Sequence, residues 1–438
     1  MNDRLQTIFQ NALEHHHIPN ELYTRFDVKK GLRNEDGTGV LVGLTKICDV
    51  EGYRRLEDGS KQDIPGELYY RGIPLETVYD RVASHDLSGY EEICFLLLFG
   101  YLPDEADLEA FRSELRSHYD LPAAFLLNNI LKATSLNTMN KIQSALLMLY
   151  AEDDNPDDGS VENLLRAGLS IIAKLPAIMV YSSQVKHYHD DGGSLLIHPV
   201  RKDLDLAESI LYLLRGEGDY TEEEVALLDL MMILHADHGV GNNSTFASLV
   251  VSSTGTDLFS AFSAAVGSLK GPKHGGANIT TKHMMDAVMA EVGVDADDAA
   301  IQAIVERICN KEFYDRSGLV YGIGHAVYTL SDPRCELLKQ QAVEVAENTG
   351  RSAELAFYNR FETIAVRHLR ACKGRNLCAN VDFYSGLIYD MMQISEDLYT
   401  PIFVASRAVG WLAHIIEERI NSGRIIRPAG KYVGEKYT

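Results

Sequence analysis

Apolar residues recur every three to four positions through most of this chain, and one stretch alternates instead. TEEEVALLDLMMILHADH begins with Thr221 and Glu224 at the spacing of a capping box, and Val225, Leu228 and Met232 then form one apolar stripe. His235 follows on that stripe, so the pattern predicts a buried helix that ends in histidines. TDLFSAFSAAVGSLKG, CELLKQQAVEVAENTG and AELAFYNRFETIAVRHLRAC read the same way, the first two stopped by Gly271 and Gly350. KICDVEGYRRLEDGSKQDIPGELYYRGI reads as one hairpin with EDG at its turn. The fold class expected is all-α with a small β appendage.

Acidic residues, Gly and Pro cluster without apolar periodicity at AEDDNPDDGS (151 to 160), HDDGGS (189 to 194) and RGEGDY (215 to 220). None is long enough to be a disordered linker, and no repeat of 20 to 50 residues suggests a solenoid. The domains should be interleaved. A length of 438 residues allows two to three domains and a core deep enough for a cleft.

With 41 basic against 63 acidic residues, the net charge of -22 argues against nucleic acid and anionic lipid as partners. A local arginine cluster can still hold a small polyanion; otherwise the acidity serves solubility. The six cysteines form no CxxC and read as buried thiols of a reducing compartment. No secretory start and no bilayer-spanning apolar run is expected, which points to a cytoplasmic protein. The His15, His16 and His17 run reads as a solvated helix face rather than a metal site.

Candidate chemistry gathers at glycine-bracketed turns. His274 in GPKHGGAN follows a helix end, with glycines on both sides that let backbone approach a ligand; a solvated turn residue is the plain alternative. His325 follows Gly322 and Gly324 in YGIGHAVYTLSDPR, which is no dinucleotide fingerprint because no GxGxxG is completed. Asp382 in NVDFYSG is a helix N-cap or a base in a partly dry pocket, and taken singly the N-cap is favoured. His235 and His238 flank Asp237 and invite a metal reading, but HADH is not HExxH and offers no third ligand. Arg407 lies on a small-residue helix face suited to carboxylate recognition, and Arg427 lies in the tail.

Taken together, HADHGVGNNSTFASLVVSS, LKGPKHGGAN, GIGHAVYTLSDPR, NVDFYSG and IFVASRAVGWLAHIIE resemble the ordered signatures of the citrate synthase family from about residue 230 to 428. PGELYYRGIPLE is similar to the family's LxYRG segment. The resemblance implies a homodimer of helical subunits without a metal or other cofactor, with acetyl-CoA and oxaloacetate as substrates. It also implies a large domain (1–274 and 382–438) and a small CoA-binding lid (275–381). His274 is implied to polarise the thioester carbonyl, Asp382 to take a methyl proton, and His325 to activate the oxaloacetate ketone. His238, Arg334 and Arg407 would hold oxaloacetate against Phe403, with Arg427 contributed by the neighbouring subunit. Gly322, Gly324 and Arg375 are the implied CoA contacts, since Thr329 and Leu330 stand where many relatives carry basic residues. A 2-methylcitrate synthase using propionyl-CoA shares these motifs, and a non-catalytic regulatory paralogue is the alternative of a different class.

Overall fold

The computed structural model describes residues 2–34, 37–58, 60–83, 89–421 and 423–434. The side chains of residues 7, 11 and 13–16 also lie outside the description, so the expectation for His15 and His16 falls outside it. The chain forms two compact units, Met1–Leu44 with Arg427–Thr438, and Thr45–Ile426. In the first unit a helix, Asp3–His16, exposes Leu5, Ile8 and Phe9 at helical spacing, and Lys431 packs over the Phe26 ring at 5.5 Å.

The second unit is predominantly helical, as the periodicity predicts. Its long elements are α1 (Val161–Asp190), α2 (Glu222–His235), α3 (Asn243–Ser252), α4 (Leu258–Leu269) and α5 (Ala277–Val292). They are followed by α6 (Asp298–Cys309), α7 (Pro333–Asn348), α8 (Ser352–Lys373), α9 (Asp382–Met391) and α10 (Tyr399–Ile420). The capping box of α2 is present: Thr221 accepts from the Glu224 N–H while the Glu224 carboxylate accepts from the Thr221 N–H.

Helix α10 runs through the core from Tyr399 to Ile416, buried all round, and packs on α1, α2, α3 and α4. A helix apolar on every side must be enclosed by others, and this one carries Phe403 and Arg407 into the interior. Helix α1 corrects one expectation, because by length and composition it is apolar enough to cross a bilayer. Most of it is buried among other helices, which satisfies the same apolar surface as a core helix.

A second group comprises α5 to α9, in which α9 packs on α5 and α7, and α8 packs on α6 and α7. Among the described residues the sheet consists of β1 (Cys48–Arg55), β2 (Lys61–Tyr70) and β3 (Ile73–Pro74), in that order and antiparallel. The β1–β2 register runs from Cys48 opposite Tyr70 to Arg55 opposite Lys61 and shifts between Glu51 and Tyr53. Gly59 of the predicted EDG turn lies outside the described residues. The Tyr70 hydroxyl donates to the Ile233 carbonyl (2.8 Å), tying the hairpin to α2.

Candidate active site

One wall of the candidate site rests on α2 and α10. Arg407 is fully buried and donates from Nε to the His235 carbonyl (2.6 Å), while its Nη1 and Nη2 have no hydrogen-bond partner. Its Cζ lies 4.9 Å from the centre of the Phe403 ring, and that ring meets His235 and His274 edge-on at 4.6 and 6.2 Å. A guanidinium with two idle donors in a dry interior is costly until an anion fills the fork.

The three polar residues of HADH diverge. His235 Nδ1 donates to the Met231 carbonyl (2.7 Å), and burial pushes its pKa down to about 3. Asp237 turns to His414 on α10, with Oδ2 2.9 Å from Nε2. Burial opposes the Asp237 charge, but His414 and Arg407 outweigh it and hold the carboxyl at about 2. His238 faces His325 at 5.1 Å between ring centres; burial keeps it neutral, and its Nε2 is buried without a partner. Among the described residues no three His, Cys, Asp or Glu side chains converge as a metal site.

The opposite wall is built from loops. His325 Nδ1 accepts from the N–H groups of Val327 and Tyr328, both at 3.1 Å, so the ring hydrogen sits on Nε2 and can be donated. The Tyr328 ring stacks on the imidazole at 4.6 Å and 22°. Arg334 Cζ lies 5.7 Å from the centre of the Tyr328 ring, and the guanidinium pairs with Asp332 through Nε to Oδ1 (3.0 Å) and Nη2 to Oδ2 (2.7 Å). Although burial disfavours both charges, each partner holds the other ionised, Asp332 low and Arg334 high. Asp332 Oδ2 also accepts from the Val381 N–H (3.2 Å), which joins this pair to the start of α9.

Asp382 is the first residue of α9, and the N-cap position belongs to Val381. No side-chain cap bond is made, so the N-cap expectation taken singly fails. The carboxyl sits half-buried and is pushed up to about 7, chiefly by burial; Arg334 lowers it and Asp332 raises it. His274 is likewise no solvated turn residue: burial, with Arg407 adding to it, lowers its pKa to about 4. Its Nε2 lies 3.2 Å from both Asn242 Oδ1 and Ser244 Oγ, and Trp411 Nε1 donates to the same Ser244 oxygen. The Ser244 hydroxyl itself donates to Asn242 Oδ1 (2.7 Å), so Trp411, Ser244 and Asn242 form one hydrogen-bonded chain that fixes the edge of the His274 ring.

His238, His274, His325, Arg334, Asp382, Phe403 and Arg407 thus form one constellation. Gly322 and Gly324 hold the His325 loop against residues 378–380: Gly324 N–H donates to the Cys378 carbonyl (2.7 Å) and Asn380 N–H to the Gly322 carbonyl (2.9 Å). Arg375 is exposed in the preceding turn. Arg427 is exposed in the tail of the first unit. Asn242, Ser244, Trp411, His414 and Tyr328 were not singled out from sequence, since an ordinary Ser, Trp or Tyr on a core stripe gives no chemical signal. A cavity of about 1260 Å³ lies elsewhere, lined by Glu208, Glu222, Glu223, Glu224 and Glu344 among others, and its acidity is unsuited to anionic substrates.

The chain is similar to known proteins over nearly its whole length. Residues 34–429 match the family model described as citrate synthase, C-terminal domain. The citrate synthase of Haloferax volcanii is 33% identical over 94% of this chain and 97% of its own, and citrate synthase 2 of Bacillus subtilis is 34% identical over 89% and 96%. A 2-methylcitrate synthase of Shewanella oneidensis is 31% identical over 84% and 88%. Among solved structures, citrate synthase from Thermotoga maritima matches with TM-score 0.72 at 28% identity, covering 94% of this chain and 97% of that one. The Thermoplasma acidophilum enzyme, solved in a ternary complex with carboxymethyl coenzyme A and oxaloacetate, matches with TM-score 0.76 at 25% identity and the same coverage. With the family model spanning nearly the whole length and relatives above 30% identity, the chain belongs to the citrate synthase family.

Proposed function

We propose that this constellation condenses acetyl-CoA with oxaloacetate and water to citrate and CoA, an acyltransferase reaction run by side chains alone. The observation that carries it is the set of buried, unpartnered nitrogens, Arg407 Nη1 and Nη2 with His238 Nε2, beside a carboxyl raised to about 7 and a neutral His274. Arg407, Arg334 and His238 hold the oxaloacetate carboxylates, with Phe403 against the substrate. Asp382 takes a methyl proton from acetyl-CoA while the neutral His274 stabilises the enolate oxygen; an ordinary carboxylate could not do so unaided. The nucleophilic carbon attacks the oxaloacetate ketone, His325 Nε2–H donates to the new alkoxide, and water then cleaves the citryl thioester.

Segment 275–381 acts as the lid that excludes water from the enol, and α9 moves with it because it packs on α5 and α7. CoA lies along the Gly322 to Gly324 loop and Arg375. The active unit is a homodimer in which Arg427 enters the neighbouring site; its exposed position, and the exposed Leu5, Ile8 and Phe9 in the same unit, support this. Mixing Arg427→Leu with Asp382→Asn subunits tests it: one intact site per heterodimer should restore activity.

The deciding experiment is thiol release from acetyl-CoA and propionyl-CoA in parallel, with and without oxaloacetate, on chelator-treated protein. Oxaloacetate-dependent release from acetyl-CoA is expected. Preference for propionyl-CoA would move the assignment to the 2-methylcitrate reaction, as the Shewanella relative allows. No release from either would leave a binding paralogue, and recovery only with zinc would overturn the metal-free mechanism.

A further inference from the structure

We propose that the β1–β2 hairpin is the seat that holds His325 in its donating orientation, with Gly52 and Gly66 as positioning residues of the reaction. The inference rests on the proposed role of His325 as donor to the oxaloacetate ketone. A methyl group at Gly52 would stand 2.8 Å from the Val327 carbonyl carbon and 3.0 Å from Tyr328 Cα, and closer still to the Val327 oxygen. At Gly66 it would stand 2.6 Å from Tyr328 Cδ1 and 3.1 Å from Pro333 Cδ, and closer still to the Ser331 carbonyl oxygen. Neither glycine has a positive φ, so no turn demands them. The requirement is the close approach of the 327–333 backbone.

The loop is also bonded to the hairpin. Gly66 N–H donates to Ser331 Oγ (3.1 Å), Thr329 Oγ1 donates to the Gly52 carbonyl (3.4 Å), and Asn376 Nδ2 donates to Asp63 Oδ2 (2.7 Å). Thr329 is therefore employed in docking the loop. The seated residues are the same ones that orient the imidazole: the N–H groups of Val327 and Tyr328 fix the hydrogen on Nε2, and the Tyr328 ring fixes its plane. The register shift between Glu51 and Tyr53 sets Ile64, Pro65 and Gly66 of β2 against the single Gly52 of β1, so the bulge falls where the loop docks, and Tyr70 anchors the other end of the hairpin to α2, which leads into His238. The sheet thereby sets His325 relative to the substrate-holding wall. The Val327 carbonyl, pushed aside by a methyl group, carries the Tyr328 N–H of the same peptide with it, and the imidazole loses that bond.

Gly52→Ala and Gly66→Ala test this in the full chain, with Gln62→Ala on the exposed hairpin edge as control. Each glycine variant should lose about a hundredfold in kcat per folded molecule, the scale of a small misplacement of a reacting group. The KM for oxaloacetate should change less than kcat, because Arg407 and His238 belong to the other wall and Arg334 keeps its buried bonds to Asp332. The ¹⁵N imidazole spectrum should show His325 with hydrogen on Nε2 in the wild type and a mixed tautomer in the variants. A kcat within twofold of wild type with an unchanged His325 tautomer overturns the proposal. If a glycine variant does not fold, Ser331→Ala decides, since it deletes the Gly66 bond without a clash; an unchanged kcat and tautomer there would equally overturn the seat. The imidazole spectrum answers even if the wild type makes no citrate, so loss of the seat and loss of the proposed function are told apart.

Discussion

The two walls of the site are built on different principles. Phe403 and Arg407 project from the middle of α10, a helix enclosed on all sides, with the Asp237–His414 pair buried behind them. His325, Arg334 and Asp382 instead sit on turns and helix starts, His325 held by the Val327 and Tyr328 N–H groups and Arg334 by the Asp332 carboxylate, which also accepts from the Val381 N–H. A close-packed helix fixes a charge where an anion must be met, and it tolerates the cost of idle donors because its packing supplies the stability. Loops can bring donors and a base from distant parts of the chain to within reach of one carbon atom, and they are able to move as the site closes. Binding should therefore follow mainly the helical wall, with Arg334 the oxaloacetate contact on the loop side, and turnover through His325 and Asp382 should follow the loop wall.

The sharpest break of that comparison is Asp382→Asn. Turnover should fall by about a hundredfold or more, the scale of a lost general base, while oxaloacetate still binds in calorimetry. Near wild-type kcat would remove Asp382 from the chemistry.

On the helical wall, His414→Ala strands the Asp237 carboxylate in the interior. Denaturant unfolding should show a loss of about 3–5 kcal/mol, the usual cost of breaking a buried pair, with kcat per folded molecule largely kept. A loss of turnover without a loss of stability would invert the comparison.

Arg407→Met should weaken oxaloacetate binding by about 2–5 kcal/mol. Its thermal midpoint without substrate should stay level or rise, since the guanidinium has two unpaired buried groups to lose. Oxaloacetate should raise the midpoint of the wild type and not that of the variant. A large midpoint loss would make Arg407 a structural charge.

The smallest effect is on pH. Asp382 acts ionised, and burial raises it to about 7, so kcat/KM should fall about tenfold per unit below pH 7 and flatten above. For stability the sign is opposite. The folded pKa lies above the ordinary 3.8, so the favourable contribution of protonated Asp382 is full below about pH 4 and lost as pH rises through 7. Asp382→Asn keeps the neutral form, and its stability relative to wild type should rise between pH 4 and 8. A flat difference would place the carboxyl in water.

Helical periodicity, the Thr221 and Glu224 capping box and the hairpin of residues 48–70 were legible because each depends on neighbours in the chain. His274, His325 and Asp382 were legible as motifs, and their family resemblance assigned them roles. Their physical state was not. Only burial makes His274 titrate near 4 and Asp382 near 7, and only the fold leaves the Arg407 fork unpaired. Sequence favoured an N-cap for Asp382 because it sees the local helix start but not Val381 in that position or the dry pocket beyond it. It also missed that α1 is long and apolar enough to resemble a membrane span, since only the surrounding helices decide where such a face is buried. Gly52, Gly66, Ser244, Trp411 and His414 carried no signal of their own. Their contributions depend on residues distant in the chain, 30 positions away for Ser244 and His274 and more than 160 for the others, and only the tertiary structure brings those together.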